Sequence, residues 1–182
     1  NVKTAVEILK DKEGLNYGAK KITVSTAGIA NKIPAAAKEI GTYLALSLHA
    51  PTDEIREMIM PINKKFKIID LIEQCKYYSS IVKEKITLEY VMLRGINDSM
   101  ECANQLVKLM GKFPCKVNLI EFNPWPGVQY LPTEREEMEK FGKVIQDAGY
   151  IATIRRSRGQ DILGACGQLR TESEKKKQYN YL

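Results

Sequence analysis

One cysteine near the C-terminal end of the sequence has neighbours that could make its thiol reactive. Cys166 follows a basic run containing Arg155, Arg156 and Arg158, and small residues flank it on both sides. Small neighbours leave a thiol accessible, and nearby guanidinium groups favour the nucleophilic thiolate. The same arginines would suit a polyanion such as RNA. The alternative is an ordinary buried cysteine, because free cysteines usually pack as small apolar residues.

Composition limits the class of protein without identifying it. The 182 residues are 44% hydrophobic and carry 28 Lys and Arg against 22 Asp and Glu, a formal charge of +6. A chain of this length can bury a core as one domain, residues 1–182. The charge is compatible with a nucleic-acid partner but does not require one. No apolar run is long enough for a transmembrane helix and no signal peptide is visible, so we expect no membrane contact.

The spacing of the four cysteines matches neither a zinc site nor a disulfide scaffold. No C-x-x-C pair occurs among Cys75, Cys102, Cys115 and Cys166. We therefore expect no metal site within these residues and a reducing, cytoplasmic location. The sequence begins with Asn1 rather than methionine, and we expect the native N-terminus to lie upstream.

Segments rich in β-branched residues alternate with helical patterns along the chain. The predicted strands are Lys21–Thr26, Tyr43–His49, Lys85–Leu93, Lys116–Phe122 and Tyr150–Arg156. Ser99 and Thr133 are expected to cap the helices that precede the last two strands. Cys75 lies on the apolar face of the helix Ile68–Val82 and is expected in the core. The alternation predicts an α/β fold with a parallel sheet, either doubly wound or part of a barrel.

Polar residues cluster where the predicted strands end, which is where parallel α/β folds bind ligands. These residues are Ser25, Ser47, His49, Glu89, Asn118, Asn123 and Arg155. A single Ser or Asn at a strand end is usually part of a turn, whereas several at one edge favour a ligand pocket. His49 is the only histidine, and we expect it to bind or support rather than catalyse. Trp125 could pack onto the fold or stack on a nucleic-acid base.

Six stretches, in order, closely resemble the dual-specificity RNA adenosine methyltransferases, a radical S-adenosylmethionine (SAM) family that methylates C2 of adenine. They are residues 25–28, 47–51, 61–65, 89–93, 122–127 and 158–169. The resemblance implies a partial (β/α) barrel of the radical SAM type, of which this chain would supply the last four barrel strands and a C-terminal extension strand. It also implies SAM and a 4Fe-4S cluster as cofactors, an electron donor that reduces the cluster, and 23S ribosomal RNA and certain transfer RNAs as substrates.

The resemblance also implies roles for individual residues. Ser25, Ser47, Leu48, His49 and Asn123 match positions that hold SAM. Cys166 matches the cysteine that takes a methyl group from one SAM and carries the carbon to the base, after radical activation by a second SAM. A second cysteine then frees the product by forming a disulfide bond. Because C2 of adenine is an electron-poor carbon that cannot attack the sulfonium methyl group, the chemistry needs a thiolate carrier. Independently of the resemblance, the charge of Arg155, Arg156 and Arg158 and the stacking surface of Trp125 make these four residues candidate RNA contacts.

The sequence departs from this family at the cluster motif, because it contains no C-x-x-x-C-x-x-C. We expect the cluster ligands, the second cysteine and the first two barrel strands to lie before Asn1, and the 182-residue chain alone to be inactive with an exposed sheet edge. Two alternatives stay open. One is the related C8-adenine methyltransferase of the antibiotic-resistance type. The other is a non-catalytic RNA-binding module, whose salt-sensitive RNA binding would survive Cys166→Ala without SAM.

Overall fold

The computed structural model describes residues 1–125 and 127–155. Helices within these ranges are α1 Val2–Lys10, α2 Ile33–Glu39, α3 Asp53–Ile59, α4 Ile68–Val82, α5 Met100–Met110 and α6 Arg135–Asp147. The strands are β1 Thr23–Thr26, β2 Tyr43–Ser47, β3 Ile86–Met92, β4 Cys115–Glu121 and β5 Ile151–Arg155. Short 3-10 helices cover Ala19–Lys21, Ala30–Lys32 and Pro61–Lys64. No helix in the described ranges combines the length and the apolar character needed to cross a membrane.

The strands form one parallel sheet in the order β1-β2-β3-β4-β5, with each strand paired to the next along the chain. Each connection contains at least one helix, as a parallel pairing requires. This architecture confirms the predicted α/β fold. It also places the carboxyl ends of all five strands at one edge.

Strand β3 shows how the sheet divides into two faces. Ile86, Leu88, Tyr90 and Met92 are buried, whereas the residues between them are partly exposed. The buried face packs with helices α4, α5 and α6 in a continuous apolar cluster. Within it, the rings of Tyr90 and Phe141 lie 5.3 Å apart between centroids. The opposite face carries partly exposed side chains, which on β3 are Thr87, Glu89 and Val91.

The structure confirms two predicted local features and corrects one. Cys75 is completely buried in the core, and the Ser99 hydroxyl caps α5 by accepting from the Cys102 amide at 3.1 Å. The prediction that Thr133 caps the next helix is wrong. Helix α6 begins at Arg135, and the Thr133 hydroxyl instead donates to Asp98 Oδ2 at 2.9 Å, because the loops before α5 and α6 meet there.

Candidate functional site

A row of polar side chains crosses the partly exposed face of the sheet. Ser47, Glu89, Asn118 and Thr153 are successive register partners on β2, β3, β4 and β5. The Asn118 amide donates to Glu89 Oε2 at 2.8 Å, and the Thr153 hydroxyl donates to Asn118 Oδ1 at 3.1 Å. Register partners share a face of the sheet, so these groups form one continuous band of hydrogen-bonding side chains.

Ser25 extends this polar surface onto β1. It pairs with Ala45, two residues before Ser47, so the hydroxyl groups of the two serines lie on the same face of neighbouring strands. Ser25 is exposed and Ser47 is partly exposed. Beyond β1 the chain turns, with the Gly28 amide donating to Thr26 Oγ1 at 3.1 Å. Both serines are therefore available to a ligand at the β1–β2 end of the sheet.

His49 occupies an unusual backbone conformation just beyond β2. Its φ is +60°. The His49 amide donates to Glu89 O at 3.2 Å, and the His49 carbonyl accepts from the Asn97 side-chain amide at 2.8 Å. The Val91 amide donates to His49 Nδ1 at 3.1 Å. Nδ1 must therefore be unprotonated, which places the ring proton on Nε2.

The charge state of His49 follows from its surroundings. Burial, and secondarily the positive charge of Arg56, lower the pKa of His49 to about 4. The ring is thus neutral at physiological pH and presents one Nε2–H donor. In this arrangement it offers a hydrogen bond to an acceptor and does not suit a general base, because Nδ1 is already occupied.

Leu48 and Asn123 sit differently from the serines. The Leu48 side chain is completely buried, its amide donates to Glu89 O at 3.0 Å, and its carbonyl accepts from Arg56 Nε at 2.9 Å. The Leu48 side chain packs in the core just beyond the end of β2 and does not face a ligand. Asn123 follows β4 and is 7% exposed. The structure thus gathers Ser25, Ser47, Leu48 and His49 at the ends of two adjacent strands and places Asn123 beyond a more distant one.

The residues predicted to contact RNA are only partly covered by the structure. Arg155 ends β5 and is exposed, and Trp125 is 43% exposed in the loop after β4. The Trp125 ring packs edge-on against Phe122 with centroids 5.5 Å apart. Arg156, Arg158 and Cys166 lie outside the described residues.

Two buried polar residues that the sequence did not reveal support the site. Asn97 is completely buried and donates to both His49 O and Val91 O, at 2.8 and 2.7 Å. Arg56, also completely buried, donates to carbonyl groups at the ends of β1 and β2. In sequence, Asn97 resembles an ordinary turn residue, and Arg56 lies in a segment, residues 51–67, that predicts an irregular loop or a short helix. Only the tertiary structure distinguishes them.

The described residues do not fit an iron–sulfur cluster. Within the described ranges no group of three or more His, Cys, Asp or Glu side chains is placed to hold a metal ion. Cys75, Cys102 and Cys115 are free, buried cysteines on three different elements. Burial raises the pKa of Cys75 and of Cys115 to about 12, which disfavours the thiolate that a metal would need.

Comparison with curated proteins finds close relatives, although no family model matches the sequence. The chain is 49% identical over its whole length to "Dual-specificity RNA methyltransferase RlmN" of Rhizobium meliloti (strain 1021), of which it covers 44%. It is 48% identical over 96% of its length to the protein of that name from Parvibaculum lavamentivorans, again covering 44%. The chain therefore spans less than half the length of the curated relatives it matches.

Solved structures agree with this comparison. A radical SAM methyltransferase from Sphaerobacter thermophilus is 41% identical, with a TM-score of 0.86 over 90% of this chain and 48% of the other. A domain of pyruvate-formate lyase-activating enzyme from Bacteroides vulgatus is 12% identical, with a TM-score of 0.59 over 73% of this chain and 80% of that domain. The second likeness concerns the fold alone.

Proposed function

We propose that the chain is part of a dual-specificity RNA methyltransferase, that it binds SAM, and that it takes part in methylating C2 of adenosine in 23S ribosomal RNA and certain transfer RNAs. Radical SAM methyltransferases use SAM and a 4Fe-4S cluster, so membership of this class implies both cofactors. The observation that supports the proposal best is the polar surface at the carboxyl ends of β1 and β2, where Ser25, Ser47 and His49 lie together.

The chemistry of these groups fits SAM. The cofactor carries ribose hydroxyl groups, an adenine edge and a carboxylate, all of which can accept hydrogen bonds. The serine hydroxyl groups can donate or accept, and the neutral His49 ring donates through Nε2–H. The resemblance adds Asn123, which is buried beyond β4, to the residues that would hold the cofactor. Several hydrogen-bonding groups on one surface can orient a ligand by convergent hydrogen bonds.

When bound, SAM supplies an electrophilic methyl group and, with an electron from a reduced cluster, radical chemistry. The residues of this chain would hold the cofactor and keep it oriented, and the Cys166 thiolate would accept the methyl group before its carbon passes to the base. The resemblance of residues 158–169 to the family supports that role for Cys166. Arg155, Arg156, Arg158 and Trp125 would contact the RNA.

The cluster itself needs ligands that these residues do not provide. The sequence contains no C-x-x-x-C-x-x-C, and the described cysteines are buried and dispersed. We accordingly expect the 182-residue chain to show no methyl transfer when assayed alone. The second cysteine of the proposed disulfide would likewise have to come from sequence beyond these residues.

The deciding experiment measures the mass of the Cys166 peptide in protein purified from cells that express the full gene. We expect Cys166 to carry one added methyl or methylene carbon, and the peptide containing Cys75 to be unmodified and serve as the internal control. Nucleoside analysis of the ribosomal RNA should then show 2-methyladenosine that disappears with Cys166→Ala. An unmodified Cys166 in protein that contains both cofactors would refute the carrier role. A product of 8-methyladenosine would support the C8 alternative instead.

A further inference from the structure

Arg56, on α3, is completely buried, which is uncommon for an arginine. Its Nη2 donates to Ala27 O at 2.8 Å and to Ser47 O at 3.0 Å. Its Nε donates to Leu48 O at 2.9 Å, and its Nη1 donates to Asn63 Oδ1 at 2.9 Å. All four of these acceptors are neutral oxygen atoms. The hydrogen bonds of the buried guanidinium are thus made to three backbone carbonyl groups and one side-chain amide oxygen, and not to a carboxylate.

Its three carbonyl partners belong to the ends of two neighbouring strands. Ala27 follows β1, and Ser47 and Leu48 lie at and just beyond the end of β2. The last register pair between these strands joins Thr26 to Leu46. Beyond this pair, no sheet hydrogen bonds fix the distance between the two backbone segments. The Arg56 guanidinium bonds to both segments and so links them.

The loop after β1 packs closely against the Arg56 side chain at Gly28. A Cβ atom added at Gly28 would lie 3.0 Å from Arg56 Nη2 and 3.0 Å from a methyl group of Leu71. The φ of Gly28 is +106°, a region that side chains rarely adopt. Glycine at this position therefore lets the backbone approach the guanidinium closely enough to bond to it.

The fourth hydrogen bond connects Arg56 to the segment before α4. Asn63 is completely buried, and its amide donates to Asp53 Oδ1 at 2.8 Å. The same carboxylate oxygen accepts from the Ile68 amide at 2.9 Å, at the start of α4. The ends of β1 and β2 are thereby tied to the two helices that follow β2.

We propose that Arg56 is a positioning residue for the site: its guanidinium sets the spacing between the ends of β1 and β2 and so places Ser25, Ser47 and His49 to bind SAM. The inference rests on the proposed function for its ligand. An apolar side chain of similar volume could fill the space, but it would leave three buried carbonyl groups without a donor. Lysine would keep the charge without the planar fork that reaches both strands.

The test compares SAM binding to the protein expressed from the full gene and to its Arg56→Lys variant by isothermal titration calorimetry. We expect about tenfold weaker binding in Arg56→Lys, from the loss of two or more of its hydrogen bonds to the strand ends. The matched control is Arg135→Lys, since Arg135 lies exposed on α6 and pairs with Glu139 at 2.7 Å. Wild-type affinity in a folded Arg56→Lys chain would overturn the proposal.

A second variant covers the case in which Arg56→Lys does not fold. Asn63→Ala removes one acceptor and the link to Asp53 but leaves the carbonyl bonds in place. We expect about threefold weaker SAM binding in this variant, as for the loss of one hydrogen bond. Unchanged affinity in a folded Asn63→Ala chain would then overturn the proposal.

A measurement on His49 separates failure of this inference from failure of the proposed function. His49 is the only histidine, so its ring nitrogen NMR signals need no assignment. The wild-type ring should show the Nε2–H tautomer alone. The Arg56→Lys variant should show a mixture of tautomers, because the end of β2 is no longer held in place. If the lysine variant does not fold, Asn63→Ala should show the same mixture. If the wild-type protein expressed from the full gene binds no SAM, the ligand assignment is wrong. An unchanged tautomer in the variant would then also reject the positioning role.

Discussion

The clearest consequence of the site geometry is that the chain should lose stability in mildly acid solution because of His49. The matched variant is His49→Asn. Asparagine tolerates the left-handed φ of +60° at this position, and its side-chain oxygen can accept from the Val91 amide as Nδ1 does. Unlike histidine, it does not titrate. The comparison therefore isolates the protonation of one ring.

The sign and size follow from the shifted pKa. In the unfolded chain His49 has its ordinary pKa of 6.5, and in the folded chain burial and Arg56 lower the pKa to about 4. Between these values the unfolded state binds a proton that the folded state does not. The stabilising contribution is complete above about pH 6.5 and is lost as the pH falls toward 4. From about pH 7.5 to about pH 4.5 the loss is roughly 2 kcal/mol, after allowing for the partial exposure of the side chain.

Urea unfolding, followed by circular dichroism at several pH values, measures this difference. Carboxylate groups also titrate over part of the range, but they are the same in both chains and cancel in the comparison. We expect the wild type to lose about 2 kcal/mol more free energy of unfolding than His49→Asn over this interval. Equal losses in the two chains would refute the reasoning. The reasoning would also be refuted if the His49 ring of the folded wild type titrated near its ordinary pKa of 6.5.

Three further predictions concern the core and one helix end. Alkylation of the native chain near pH 8 should spare Cys75 and Cys115, whose pKa burial raises to about 12; peptide mapping that finds either modified before unfolding would contradict this. Ser99→Ala should lower the free energy of unfolding by about 1 kcal/mol through loss of the α5 cap, whereas Ser80→Ala, at an exposed hydroxyl, should change it little. Phe141→Ala should cost about 3–5 kcal/mol in urea unfolding, and a cost near zero would place that ring outside the core.

Local patterns in the sequence were sufficient to predict the α/β class and the five strands of the parallel sheet. Strand β3 was predicted as Lys85–Leu93 and is found at Ile86–Met92, because its apolar residues alternate and one face of the sheet is buried. The predicted first strand was too long, since residues 19–21 form a 3-10 helix before β1. Thr133 failed as a predicted cap because its hydroxyl bonds to Asp98, 35 residues away in sequence. Contacts of that range leave no trace in a local pattern.

The candidate site was predictable only in its outer layer. Ser25, Ser47 and His49 stand at strand ends, which a sequence pattern can locate. The residues that hold those ends in place are Arg56 and Asn97, and their segments were predicted as an irregular loop or short helix and as a turn. Both side chains are buried because backbone carbonyl groups of other segments surround them and accept their hydrogen bonds. Neither composition nor periodicity predicts these long-range contacts.

The backbone of His49 indicates that the β1–β2 end of the site is formed before any ligand binds. A non-glycine residue at a φ of +60° costs about 1 kcal/mol or more, so the conformation persists only where surrounding contacts determine it. Here the determining contacts are internal: the Val91 amide on Nδ1, the Asn97 amide on the carbonyl, and Glu89 O on the amide. None of them requires a ligand. Because the strain is already offset by the fold, a ligand at this end would meet a fixed Nε2–H donor and would not bear the cost of ordering it.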